Sequence, residues 1–107
     1  MVEMSKRLET LKTLAEQDPR NTFVLYGLAM EYINAGELPQ AVEEFNRVLE
    51  VNPDYGAAYF HAGQTLEKLE RPQDAAAVYR RGIEATVRSG DSHTRSELQA
   101  ALDILGH

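Results

Sequence analysis

The sequence predicts an all-α fold: an array of antiparallel helix pairs made of six helices. Three observations carry this expectation. Apolar residues recur at three- and four-residue steps, and the alternation of a half-buried strand is absent. Proline- and glycine-bearing breaks cut the chain into segments of helical length, and the short loops between them make neighbours antiparallel. Finally, the chain matches itself at an offset of 34 residues, where "QDPRNTFVLYGLA" and "VNPDYGAAYFHAG" share a turn signal and the placement of apolar and small side chains.

The first helix is expected near 4–17, where Met4, Leu8, Leu11 and Ala15 form one stripe joined by Leu14. Asp18-Pro19 ends it, because proline pushes the residue before it out of helical geometry. The second should run about 22–35, capped by Asn21 or Thr22. Gly36 stops it, since glycine tolerates left-handed dihedrals. The third, about 39–51, has Pro39 in its first turn, where a missing N–H costs little, and stops at Asn52-Pro53. A fourth is expected at about 55–69. A fifth starts near Pro72 and meets no stop before Ser89-Gly90. The last, about 93–105, follows Asp91-Ser92 and aligns Leu98, Ala101, Leu102 and Leu105 on one face.

The 34-residue offset pairs Leu25 with Tyr59, Leu28 with Ala62, Ala29 with Gly63, Tyr32 with Leu66, Ala41 with Ala75 and Phe45 with Tyr79. If each helix pair packs as a hairpin, Ala29 faces Ala41 and Gly63 faces Ala75. Small side chains at the crossings let the backbones approach, and Phe45 and Tyr79 fill the space beside them. One pair cannot cover its own apolar face, so neighbours must stack.

Length and composition set the class. A chain of 107 residues suits a single domain, 1–107, and 43% apolar with 26% charged residues is a globular balance. The absence of cysteine excludes a disulfide scaffold, thiol chemistry and cysteine-ligated zinc, and suits a reducing compartment. "MVEMSKRLETL" has no apolar stretch of signal-sequence length, and no window approaches the roughly 18 apolar residues of a membrane span. A cytoplasmic protein is the expectation, and Met1 with the two flanking helices suggests a complete small one. The net charge of −6 arises in residues 21–67, where Arg47 alone faces Glu31, Glu37, Glu43, Glu44, Glu50, Asp54 and Glu67. That distribution disfavours nucleic acid and anionic membranes as partners. The acidic run at Glu43-Glu44, with Glu50, reads as a solvated outer face. Arg80, Arg81 and Arg88 read as surface charges balanced by Glu84 and Asp74 through pairs along the helix. His61, His93 and His107 lack the spacing of a helical metal site. No cofactor, no metal and no catalytic residue is expected; the chain reads as a non-enzyme.

The repeat resembles the tetratricopeptide repeat. The residues that carry the resemblance are Leu25, Leu28-Ala29, Tyr32, Ala41, Phe45 and Pro53 within 22–55, and Tyr59, Ala62-Gly63, Leu66, Ala75 and Tyr79 within 56–89. It covers 68 of the 107 residues, 22 through 89. The helix at 4–17 fits the trailing helix of a preceding repeat, and that at 93–105 fits an amphipathic capping helix. Several positions depart from the pattern. Leu25 replaces the usual tryptophan, and Val48 stands where a small residue is preferred, although Gly82 keeps it in the second copy. Val87 replaces the terminal proline, in keeping with a longer fifth helix. Glu70 occupies the turn position of Gly36, so a left-handed Glu70 would cost about 1 kcal/mol or more. The resemblance implies a right-handed α-solenoid that serves as a protein-binding scaffold.

The second helix has a surplus apolar stripe: Phe23, Tyr26, Met30 and Ile33, beside its core stripe of Leu25, Leu28, Ala29 and Tyr32. A helix apolar nearly all round should be buried nearly all round. The resemblance places Phe23, Tyr26, Met30 and Ile33, then Ala57, Phe60, Gln64 and Glu67, along a concave groove. Three readings stay open. The first helix or the array's curvature hides the stripe; or the groove, with Phe23, Tyr26, Met30, Ile33, Phe60, Gln64 and Glu67, takes a peptide or helix of a partner protein; or a second copy covers it as a homodimer. An apolar or basic segment suits the local charge better than an acidic one. In some relatives Lys and Asn clamp a C-terminal carboxylate; the matching positions here are Tyr26, Met30 and His61, which supply neither cation nor amide.

Overall fold

A computed structural model of the chain describes residues 5–106. Within them lie α1 (Lys6–Gln17), α2 (Thr22–Asn34), α3 (Leu38–Val51), α4 (Gly56–Lys68), α5 (Pro72–Ser89) and α6 (Ser92–Ile104), with no strand among the described residues. Met1, Met4 and His107 lie outside those residues.

The helix ends follow from local chemistry. Ser5 starts α1, its Oγ accepting the Leu8 N–H at 3.0 Å, a cap the sequence reading did not name. Asn21 rather than Thr22 caps α2, accepting from Val24 N–H at 3.2 Å. Asp91 caps α6 by accepting the Thr94 N–H at 3.1 Å, and hydrogen bonding from the Thr94 side chain and then from that N–H holds its carboxyl below the ordinary range. Pro39 and Pro72 sit in first turns. The α2–α3 and α4–α5 turns close alike: Glu37 N–H donates to Tyr32 O at 2.8 Å, and Arg71 N–H to Leu66 O at 2.9 Å. Gly36 occupies the left-handed position of the first turn with φ 77°, and Glu70 that of the second with φ 58°. The turn is thus repeated without the glycine that suits it.

Helix α2 packs on α3, and α4 on α5; α3 joins the pairs through α4, α1 covers one side of α2, and α6 packs on α5 and α4. The result is a slab of 38 × 29 × 18 Å. Its core runs lengthwise through Leu8, Leu25, Ala29, Ala41, Phe45, Ala75, Tyr79 and Leu98, each at most 1% exposed. Gly63 permits the α4–α5 crossing. A Cβ there would lie 2.1 Å from Cε1 of Tyr79, so the Tyr79 ring occupies the space a side chain would need. Gly82 does the same on α5, where a Cβ would meet Tyr59 Cβ at 2.6 Å and Leu98 Cδ1 at 2.9 Å. The longer α5 spans 18 residues against 14 in α3, as the loss of the proline at Val87 leads one to expect.

Three surface expectations are corrected. Leu14 is 41% exposed and so stands outside the α1 stripe, because the helix turns it away from α2. Glu44 is only 7% exposed, whereas the acidic run was expected to be solvated throughout. On α3 it shares a side with the buried Ala41 and Val48, three residues before it and four after, and burial raises its carboxyl above the ordinary range. Arg47, 3.6 Å from Oε1, opposes that shift. Two of the three α5 arginines reach other elements: Arg88 pairs with Asp54 at 3.0 Å and Arg81 lies 5.5 Å from the Tyr59 ring centroid. Asp74 pairs with Arg71 at 2.7 Å.

Candidate functional site

The seven residues singled out from the sequence fall into three environments. Phe23, at the start of α2, is 82% exposed. Met30 and Ile33 lie on the same side of that helix, half-buried against the core. Helix α1 does not cover Phe23. It reaches α2 elsewhere, with Leu11 3.6 Å from where a Cβ of Gly27 would stand and Arg7 3.2 Å from Glu31.

Tyr26 belongs to a ring cluster. Its centroid lies 5.1 Å from that of Tyr55, 5.9 Å from His61 and 6.0 Å from Phe45. These rings come from α2, α3, the loop before α4, and α4 itself, so Tyr26 ties one helix pair to the next. Burial, and then the nearby Tyr55, raise its phenol pKa. His61 also stacks on Phe45 at 6.3 Å and meets the edge of Phe60 at 5.5 Å. Burial lowers its pKa, and Glu97 on α6 pulls weakly the other way. The three positions matching a carboxylate clamp, Tyr26, Met30 and His61, offer packed rings and a thioether.

On α4, Phe60, Gln64 and Glu67 follow one another at four- and three-residue steps and share a side of the helix. Glu67 is held in place: the buried Tyr79 donates its O–H to Oε2 at 2.5 Å, and Gln64 Nε2 donates to Tyr79 Oη at 2.7 Å. Burial and the Glu67 carboxylate together push the Tyr79 phenol far above its usual range. The arrangement orients a part-buried carboxylate and amide on one side of α4.

The sequence reading missed the third element of this face. Phe60 and Gln64 share a hollow of about 280 Å³ with Glu97, Ala100, Ala101 and Ile104 of α6. Ile104 is 84% exposed, while Leu98 and Leu102 of the same helix are buried. The signal was legible: Glu97, Ala100 and Ile104 recur at helical spacing off the core stripe. No group of three or more His, Asp or Glu side chains is placed to hold a metal ion among the described residues. No helix there is long and apolar enough to cross a membrane.

Comparisons with known proteins agree with this architecture. The family model described as Tetratricopeptide repeat matches residues 26–88. The chain is 23% identical over 95 residues to the TPR repeat-containing protein PA0015 of Pseudomonas aeruginosa, covering 89% of this chain and 90% of that one. The crystal structure of a tetratricopeptide repeat domain protein from Salinibacter ruber superposes with a TM-score of 0.74 at 34% identity, covering 80% of this chain and 96% of the other. PcrH, solved in complex with the chaperone binding region of PopD, has a TM-score of 0.86 at 14% identity over 92% of this chain and 75% of its own; that likeness concerns the fold alone.

Proposed function

Because the chain belongs to the tetratricopeptide repeat family, whose fold is a protein–protein interaction module and in general non-catalytic, we propose that the face carrying Phe23, Met30, Ile33, Phe60, Gln64 and Glu67 is the groove that receives a segment of a partner protein. The observation that carries this reading is Phe23, a large apolar side chain left 82% exposed at the head of a helix whose other apolar residues are at least half-buried. Solvent gains nothing from such a residue, and a partner that covers it does. The PcrH complex supports the reading by analogy, as a structure of the same fold solved with a segment of another protein. Tyr26, another groove position in the family pattern, also packs between the two helix pairs.

The test is a selection from a phage-displayed library of random twelve-residue peptides. Peptides recovered with the wild-type chain should bind Phe23→Glu about tenfold more weakly, or worse, as expected for loss of an apolar anchor. Phe23 is the right probe because its exposure leaves the fold untouched on substitution. A change at Tyr26 would disturb the ring cluster and confound binding with stability. Peptides that bind both proteins equally would remove Phe23 from the docking surface. A mass that doubles with concentration, and returns to about 12 kDa in Phe23→Glu, would give the face to a second copy instead.

A further inference from the structure

We infer that this face continues across α6, and that its occupant is an amphipathic segment of another protein that sets a large apolar side chain in the hollow between α4 and α6 and a Lys or Arg beside Glu97. The inference rests on the groove reading above and names the partner's chemistry.

Two observations lead to it. The first is the divided apolar surface of α6. Leu98, Ala101 and Leu102 are at most 8% exposed and pack this helix onto α4 and α5. Ile104 is 84% exposed, and the packing of α6 makes no use of it. With Phe60 it forms the apolar sides of the hollow, and Ala100, ending at its methyl group, keeps the hollow open.

The second observation is charge. Among the described residues bordering the hollow, Glu97 alone carries a charge, and its side chain is 48% exposed. His93 of the same helix approaches it at 3.7 Å. On the α4 side, Glu67 lies seven residues beyond Phe60 on the same side of the helix, held by Tyr79 and Gln64. No Lys or Arg among the described residues borders the hollow. A peptide carboxylate entering here would meet fixed negative charge and no cation. An ammonium or guanidinium would meet its complement, next to an apolar seat for its neighbour.

The same phage library supplies the probe. Peptides recovered with wild type should be richer in Lys and Arg than in Asp and Glu and should contain a Leu, Ile, Met or Phe. Ile104→Glu should weaken them about tenfold or more by removing the anchor's seat. Glu97→Lys should weaken them several-fold at about 50 mM salt and much less at about 0.5 M, because exposed charge pairs are screened. Circular dichroism and melting should match wild type for both variants, since both side chains face solvent. Peptides sensitive to Phe23→Glu but indifferent to Ile104→Glu would sink the α6 extension and leave the groove reading standing. Acid-rich peptides would overturn the charge assignment. Peptides indifferent to all three substitutions, or a library that yields none, would end both readings.

Discussion

At the scale of single residues, Gly27 inside α2 and Gly63 inside α4 do opposite things, and their substitution should separate them. Gly63 lies under the Tyr79 ring, where an added Cβ would be 2.1 Å from a ring carbon. Gly27 has only the Leu11 methyls near it, at 3.6 and 3.7 Å, which is ordinary contact. Alanine is the better helix former by about 1 kcal/mol. Gly27→Ala should therefore stabilise the protein by up to about 1 kcal/mol, whereas Gly63→Ala should destabilise it by about 1–3 kcal/mol through overpacking that outweighs propensity. Urea denaturation of the two variants decides it; equal effects would mean that Tyr79 moves aside freely. Both glycines stand in plain view in the sequence, but only the path of α5 says which one is pinned.

At the scale of the element, the α4–α5 turn is the weak copy of the α2–α3 turn. Each closes with the same pair of backbone hydrogen bonds, and each needs one residue with positive φ. Gly36 meets that need without strain; Glu70 does so at a cost of about 1–2 kcal/mol, because its Cβ crowds the carbonyl oxygen. Glu70→Gly should raise the free energy of unfolding by about 0.5–1 kcal/mol, the relief being reduced by the greater freedom of glycine in the unfolded chain. An unchanged or lowered urea midpoint would show that the Glu70 side chain contributes something that glycine removes. The turn was legible as a turn because its position repeats at 34 residues. Its left-handed residue was inferable only by comparing the two copies.

At the scale of the whole molecule, the ring cluster between the helix pairs makes stability depend on pH. His61 is half-buried among Phe45, Tyr26 and Phe60, and burial lowers its pKa below 6.5. In the window from 6.5 down to that lowered value the unfolded chain binds the proton more readily than the folded one. Acidification through the window should therefore cost stability. Glu44, whose carboxyl is raised mainly by burial, works in the opposite sense: its contribution is present at low pH and fades as pH rises through its folded pKa. Comparing wild type with His61→Phe isolates the histidine and keeps a ring in place. Between about pH 7.5 and about pH 5.5 the wild-type Tm should fall further than that of the variant. Parallel curves would mean that the imidazole stays well solvated.

The sequence by itself determined the helical class, the 34-residue period and the packing of consecutive helices into pairs. These depend on local periodicity and on side-chain size, which a linear chain displays directly. It also singled out the surplus apolar stripe of α2. Only the tertiary structure divided that stripe, leaving Phe23 in solvent and placing Tyr26 in a cluster of rings drawn from α2, α3 and α4. Likewise, only the tertiary structure buried Glu44 and joined Ile104 to Phe60 across more than forty residues. Exposure is a property of what lies opposite a side chain, and helices distant in the chain supply that opposite surface.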